Sequence, residues 1–162
     1  MKIRHILLSA VLLSPFAAQA EDAMMVSVKR LSMETAQAIA QAAVEACREE
    51  GIQIGVTVVD RDGNAQVVLR DTIAAAITLP ISRDKAYTAV MFNAATSALA
   101  DRADSPVGRQ PHLIMSAGGL PIQVGGALLG GVGVSGAPSG ETDEKCAQAG
   151  IEAVQTDLEM AE

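Results

Sequence analysis

Glycine alternates with valine along one segment, Gly131-Val132-Gly133-Val134, and few chain arrangements accommodate that pattern. Successive side chains of a strand point to opposite faces, so the alternation leaves one face bare. A bare face is expected where a neighbouring element or a ligand approaches closely. The apolar run 120–124, the turn Gly125-Gly126 and the returning run 127–134 together predict an antiparallel hairpin.

A helix and another hairpin are predicted before this segment. Ser32 can cap a helix whose apolar positions continue to Cys47, and Gly51 can end it. The alternating run 52–59 and the β-rich run 65–69 flank a polar turn and predict the first hairpin.

Further helices and one short strand complete the predicted order. Ser82 is predicted to cap a second helix that continues, with a break, to about residue 103. The run 113–115 is a candidate short strand, and a last helix begins after Pro138. Helices outside an antiparallel sheet make an α+β domain. We therefore predict a single α+β domain over residues 21–162, with a central antiparallel sheet of about five strands flanked by helices.

The first twenty residues have the three parts of a secretory signal peptide. A basic start, Met1-Lys2-Ile3-Arg4-His5, precedes an apolar run over 6–13 and the small-residue site Ala18-Gln19-Ala20. The apolar run is too short to span a bilayer. The alternative is an ordinary buried N-terminal helix. We predict a signal peptide over residues 1–20 and an exported protein, periplasmic or secreted.

Charge and aromatic content argue against nucleic-acid binding. The leader holds Lys2 and Arg4 and no acid, so its removal leaves 10 basic against 19 acidic residues and a net charge of −9. Binding to phosphate backbones depends on Lys and Arg, and single-strand binders stack bases on rows of aromatic rings. After the leader, Tyr87 and Phe92 are the only Phe, Tyr or Trp residues. The predicted partners therefore include neither nucleic acid nor, after leader removal, a membrane.

The two cysteines, Cys47 and Cys146, have two interpretations. A pair in an exported protein suggests a disulfide, here closing a loop of about 100 residues. Cysteine is also commonly a buried core residue, so two free thiols are the alternative. Only the geometry of the two helices decides between them.

Several familiar motifs lack their required context. The run Gly131 to Gly136 fits G-x-G-x-x-G, but one helix remains after it and no βαβ unit can follow. Asp60, Asp62 and Asn64 resemble the start of a calcium loop, but the required glycine at the sixth position is Ala65. One histidine and two distant cysteines also fail the common zinc spacings.

His112 is the only histidine after the leader, and it has three interpretations. It is a solvated loop residue, an axial ligand to haem iron, or a general acid or base. Arg70, Arg83 and Lys85 are ordinarily solvated surface residues. If they cluster, they can bind ligand carboxylates.

Six segments have a family-specific order and spacing: residues 31–36 (LSMETA), 58–63 (VVDRDG), 82–89 (SRDKAYTA), 96–99 (TSAL), 118–122 (GGLPI) and 130–137 (GGVGVSGA). With these segments the chain, from about Leu31 to Val154, resembles the GlcG/HbpS-like family, also called DUF336.

The resemblance implies a profilin-like α+β sandwich and a tendency to form homo-oligomers. It also implies a cleft near the Gly118-Gly119 turn and the second helix, often at a subunit interface. Members include an extracellular haem-binding, redox-sensing accessory protein and a glycolate-utilisation protein, and a related domain accompanies a corrinoid adenosyltransferase. Family membership therefore constrains the fold more than the function.

The first functional hypothesis is an exported protein that binds haem or another small ligand. His112 would be the axial ligand to the haem iron, and Arg83 or Lys85 would contact a propionate. Four residues would form the apolar walls: Met91, Phe92, Ile114 and Met115. Haem is the one cofactor predicted.

Two other hypotheses remain open. One is an enzyme acting on a small hydroxy or keto acid, with His112 or Lys85 transferring a proton. The Gly118 and Gly119 amides would then stabilise an oxyanion. The other is a non-catalytic structural accessory to a periplasmic oxidoreductase.

Overall fold

A four-stranded antiparallel sheet lies between helices in the computed structural model, which describes residues 24–161. The leader predicted over residues 1–20 lies outside this range. The elements in chain order are α1 (Met33–Glu49), β1 (Gly55–Asp60), β2 (Ala65–Arg70), α2 (Thr78–Phe92), a 3-10 helix (Thr96–Arg102), β3 (Gly119–Val124), β4 (Ala127–Ser135) and α3 (Gly140–Met160). The strand order β2-β1-β4-β3 places the two hairpins side by side. The α+β class is confirmed.

The predicted fifth strand is wrong: the sheet has four strands. The run 113–115 has no regular secondary structure and pairs with no strand. Two of its three backbone donors are already engaged, and Ile114 N donates to Thr88 Oγ1 at 2.9 Å. Leu113 N donates to the carbonyl of Gln110 within its own loop. The run is therefore tied to α2 instead of extending the sheet.

The glycine-valine strand is β4, and its bare face is covered by α2. A Cβ at Gly133 would collide with the carbonyl oxygen of Ser82, and one at Gly131 would lie 2.6 Å from a Val90 methyl. The prediction of a close neighbour is confirmed, and that neighbour is a helix. On the opposite face, Val132 and Val134 join the core formed with α1 and α3.

The boundaries of α2 differ from the prediction. Ser82 does not cap α2, which begins four residues earlier at Thr78. Pro80 falls in the first turn, where a missing N–H is tolerated. Ser82 is buried, its Oγ donates to the Leu79 carbonyl, and it lies 2.9 Å from Thr57 Oγ1 of β1. In α1, by contrast, Ser32 Oγ accepts from Thr35 N at 3.1 Å and is the predicted cap.

Cys47 of α1 and Cys146 of α3 form a disulfide in the main core. Their Cα atoms lie 5.5 Å apart, and both residues are almost fully buried. The structure therefore agrees with the disulfide interpretation and not with two free thiols. It joins the two helices that cover one face of the sheet.

An ion pair ties α1 to the segment after β2. Arg48 donates to both carboxylate oxygens of Asp71, at 2.7 and 2.8 Å, and the Asp71 side chain is 2% exposed. The hydrogen bonds from Arg48 lower the pKa of Asp71 from 3.8 to about 2.

The depressed pKa of Asp71 predicts an acid-dependent loss of stability. Because the folded-state pKa is below the unfolded value, Asp71 stabilises the fold above about pH 4 and loses that contribution as pH falls through 2. Urea unfolding at a series of pH values should show this loss, and Asp71→Asn should flatten the curve between pH 4 and 2. An equally steep decline in the variant would contradict the assignment.

Among residues 24–161, no helix combines the length and apolar character needed to cross a membrane.

Candidate functional site

A cleft of about 300 Å³ lies between α2 and the loop that precedes β3. Arg83, Asp84 and Tyr87 line it from α2, and Pro111 and His112 line it from the loop. Positions i and i+4 of a helix share a face, which brings Arg83 and Tyr87 to the same side of α2. The cleft thus combines a guanidinium and an imidazole with the carboxylate of Asp84 and the apolar ring surfaces of Tyr87 and Pro111.

The backbone of His112 has a left-handed conformation, with φ of 65°. Non-glycine residues adopt this region rarely, and surrounding contacts must hold them there. Thr88 supplies one such contact, because its hydroxyl accepts from Ile114 N and donates to the carbonyl of Asp84 at 2.7 Å. The loop that carries His112 is therefore fixed to the same helix turn that carries Asp84.

Arg83, Asp84 and His112 contact one another. Arg83 Nη2 lies 2.9 Å from His112 Nδ1, and Arg83 also donates to Asp84 Oδ1 through Nε and Nη2 at 3.0 and 2.8 Å. The second carboxylate oxygen, Asp84 Oδ2, lies 3.5 Å from His112 Nδ1. The side chains of His112 and Arg83 are 64% and 49% exposed, so a ligand can reach both.

The structure places His112 and Arg83 in one cleft, but the residues predicted as its apolar walls do not line it. Met91, Phe92, Ile114 and Met115 are not among the lining residues, and Met115 is buried. Phe92 instead lies under the guanidinium of Arg102, with its ring centre 5.0 Å away.

Sequence reasoning missed three lining residues: Asp84, Tyr87 and Pro111. The helical spacing from Arg83 to Tyr87 was a signal available for Tyr87. Asp84 and Pro111 have no comparable signal, because the loop conformation determines their proximity to His112.

Lys85 does not face the cleft. It is 4% exposed, and its Nζ donates to Asp143 Oδ2 at 2.9 Å and to the carbonyl of Val134 at 3.0 Å. Burial raises the pKa of the Asp143 carboxyl, and the hydrogen bonds from Lys85 and Ala137 N oppose that rise. Lys85 therefore joins α2 to α3 inside the protein.

The Gly118 and Gly119 amides are also engaged inside the protein. Gly118 N donates to Glu144 Oε2 at 3.1 Å, and Gly119 N donates to Thr96 Oγ1 at 2.9 Å. A Cβ at Gly119 would lie 2.5 Å from the carbonyl of Lys85, so glycine at this position permits close packing. The predicted oxyanion site is not open, because both amide donors already have acceptors.

A second, larger groove of about 360 Å³ runs along α3. Its charged lining residues are Lys145 and three carboxylates, those of Glu141, Glu144 and Glu152. This excess of negative charge disfavours an anionic ligand. The smaller cleft, with Arg83 and His112, suits carboxylates and iron better.

Metal-ligand clusters offer no competing site. In the part of the chain that the structure describes, no three His, Cys, Asp or Glu side chains are grouped to hold a metal ion. Asp60, in the calcium-like sequence, instead accepts from the amides of Asp62 and Asn64 and closes the first hairpin.

Comparison with known proteins finds a family model and solved structures that match most of this chain. A family model described as "Haem degrading protein HbpS-like" matches residues 31–152. The crystal structure of a double mutant of HbpS from Streptomyces reticuli is 39% identical, with a TM-score of 0.77, and the match covers 88% of this chain and 97% of that one. The crystal structure of a PduOC–haem complex is 30% identical, with a TM-score of 0.71, over 76% of this chain and 94% of that one.

A curated relative is much longer. The corrinoid adenosyltransferase PduO of Salmonella typhimurium is 31% identical over 131 residues, which are 76% of this chain but only 39% of PduO. The match therefore spans well under half of that protein.

Proposed function

The chain belongs to the HbpS-like family, and on that premise we propose that it is an exported haem-binding protein whose site is the cleft of Arg83 and His112. The observation that carries the proposal is the meeting of these two side chains, 2.9 Å apart, in one solvent-accessible cleft. The likeness to the PduOC–haem complex supports haem over other small ligands.

The residues of the cleft fit the chemical parts of haem. Imidazole nitrogen is a common axial ligand to haem iron, and guanidinium pairs with carboxylates such as the propionates. Tyr87 and Pro111 offer apolar surface for the porphyrin. When bound, haem would supply an iron centre capable of redox chemistry. The residues of this chain would bind and orient it.

The size of the cleft supports a homo-oligomer. The cleft is open to solvent, with the side chains of Arg83 and His112 49% and 64% exposed, so one chain leaves part of a bound porphyrin uncovered. We propose that a second copy covers the exposed part, in keeping with the oligomers that the family resemblance implies.

Titration of the protein with hemin tests the proposal. We expect a saturable Soret shift that is lost in His112→Ala, because this change removes the axial donor. Gln110→Ala is the matched control, since Gln110 is exposed in the same loop and does not line the cleft. A shift that survives in His112→Ala would retain haem and reject His112 as its ligand. No saturable shift would reject the haem proposal.

The two other hypotheses have less structural support. The hypothesis of an enzyme acting on a small hydroxy or keto acid relies on open Gly118 and Gly119 amides and on an accessible Lys85. Both amides already donate hydrogen bonds within the protein, and Lys85 is buried. A non-catalytic accessory role would be favoured if neither hemin binding nor acid turnover were detected.

Export is supported by the disulfide, because disulfides persist in oxidising compartments such as the periplasm. We expect the protein recovered from the periplasm or medium to begin at Glu21, after the small-residue site Ala18-Gln19-Ala20. Intact-mass measurement of the secreted protein checks this. A mature chain that retains residues 1–20 would contradict it.

A further inference from the structure

The Nδ1 atom of His112 has two neighbours of opposite character. Arg83 Nη2 lies 2.9 Å away and Asp84 Oδ2 lies 3.5 Å away. A guanidinium only donates hydrogen bonds, so at 2.9 Å Nδ1 must accept with its lone pair. In a neutral imidazole the other nitrogen, Nε2, then carries the hydrogen.

This arrangement withholds His112 from a metal. A nitrogen that binds iron must offer a lone pair, and Nε2 carries a hydrogen while the Nδ1 lone pair is already used by Arg83. Histidines that bind metals usually have the reverse arrangement, in which the second ring nitrogen donates its hydrogen to a carboxylate or carbonyl. Asp84 is the carboxylate placed to accept it.

We infer that Arg83 couples carboxylate binding to the tautomer of His112, with Asp84 as the positioning residue; this inference rests on the proposed function. A ligand carboxylate competes with His112 for the guanidinium of Arg83. Once Arg83 has turned to the ligand, Nδ1 takes up a proton from water, keeps it and donates a hydrogen bond to Asp84 Oδ2, while Nε2 releases its proton to water. The ring charge is unchanged, and Nε2 gains the lone pair that iron requires.

The geometry around Asp84 suits this role. Its Oδ1 accepts both hydrogen bonds from Arg83, which leaves Oδ2 facing His112. The Asp84 side chain is 16% exposed, and the Asp84 carbonyl is bound by Thr88, whose hydroxyl also holds the His112 loop. Asp84 and the loop of His112 are therefore both held at one turn of α2, whereas Arg83, 49% exposed, can exchange its hydrogen bonds for those of a ligand.

Nitrogen NMR of ¹⁵N-histidine-labelled protein reports the tautomer directly, and the His112 signals are assigned by their loss in His112→Gln. In the ligand-free protein we expect the hydrogen on Nε2. Arg83→Ala removes the donor to Nδ1, so the hydrogen should move to Nδ1. Ligand-free wild-type protein with its hydrogen on Nδ1 would overturn the inference.

Two probes distinguish the source of the carboxylate. Metal-free protoporphyrin IX carries propionates but cannot be ligated, and its dimethyl ester lacks the charges. We expect protoporphyrin to move the hydrogen to Nδ1 and the ester to leave it on Nε2. If acetate alone also moves it, a free small carboxylate suffices; if only protoporphyrin does, the propionates are the source. An equal response to the ester would overturn the coupling.

Asp84→Asn tests the positioning role separately. Loss of an outer carboxylate partner typically weakens metal binding 10–100-fold, and we expect hemin affinity to fall within about that range. The unfolding midpoint should stay unchanged, and Asp84→Glu should restore part of the affinity. Wild-type protein that binds no hemin would defeat the proposed function itself. Hemin binding through His112 with an unchanged tautomer in every probe would defeat this inference alone.

Discussion

Removal of the Cys47–Cys146 disulfide is expected to lower the free energy of unfolding by about 4–5 kcal/mol. The bond spans 99 residues, and chain-entropy theory assigns that order of stabilisation to a loop of about 100 residues. Native domains have only about 5–15 kcal/mol in total, so the reduced protein should be close to its unfolding threshold. Urea denaturation of oxidised protein and of the Cys47→Ala/Cys146→Ala variant measures the difference.

Two controls separate loop closure from packing. Wild-type protein reduced with dithiothreitol keeps both sulfur atoms, whereas the double alanine variant also loses their buried volume. We expect the reduced protein to have most of the loss and the alanine variant slightly more. A loss below about 1 kcal/mol in both would contradict the disulfide as a main source of stability.

Lys85→Ala is expected to destabilise the protein by about 3–5 kcal/mol. Lys85 and Asp143 form a buried ion pair at 2.9 Å, and removal of one partner leaves an uncompensated charge in the interior. The double variant Lys85→Met/Asp143→Leu should recover part of the loss, because apolar residues of similar volume can replace a buried pair. Recovery is incomplete because Ala137 N and the carbonyl of Val134 lose their side-chain partners. Thermal and urea unfolding of the three proteins measure this.

Arg83→Ala is the matched control for Lys85→Ala, two residues away on the same helix. Arg83 is half exposed, so its loss should change stability by no more than about 0.5 kcal/mol. The affinity for hemin should depend on the other residue. Arg83→Ala should alter it, whereas the folded Lys85→Met/Asp143→Leu variant should retain the wild-type affinity. A stable Lys85→Ala protein that fails to bind hemin would instead place Lys85 in the ligand site.

Local patterns predicted most of the secondary structure. The Gly125-Gly126 turn, the Ser32 cap and the alternating strands depend on nearest neighbours in the chain, and each has a physical reason visible in the residues themselves. Ser82 shows where such reasoning fails. A serine hydroxyl suits both a helix cap and a buried contact with Thr57, and only the packing of α2 on β1 distinguishes the two.

The candidate site was predictable by residue type but not by arrangement. Residue type alone marks Arg83 and His112 as groups able to bind a carboxylate or iron, and the structure places them 2.9 Å apart. Lys85 has the same chemical capacity, yet it lies in the interior. Successive helix residues are separated by about 100°, so Arg83 and Lys85 point about 200° apart.

The amino-acid sequence alone determined the α+β class, the hairpins and the requirement for a close neighbour on the glycine face of β4. Each of these follows from backbone preference or side-chain periodicity over a few residues. Only the tertiary structure decided which face of α2 meets that glycine face. The buried residues of α2 include Thr78, Ser82, Lys85 and Thr88 as well as alanines, so hydrophobicity does not mark the inner side. The small space above Gly131 and Gly133 determines instead which side of α2 faces the sheet. As a result, Lys85 is buried and Arg83 lies beside His112.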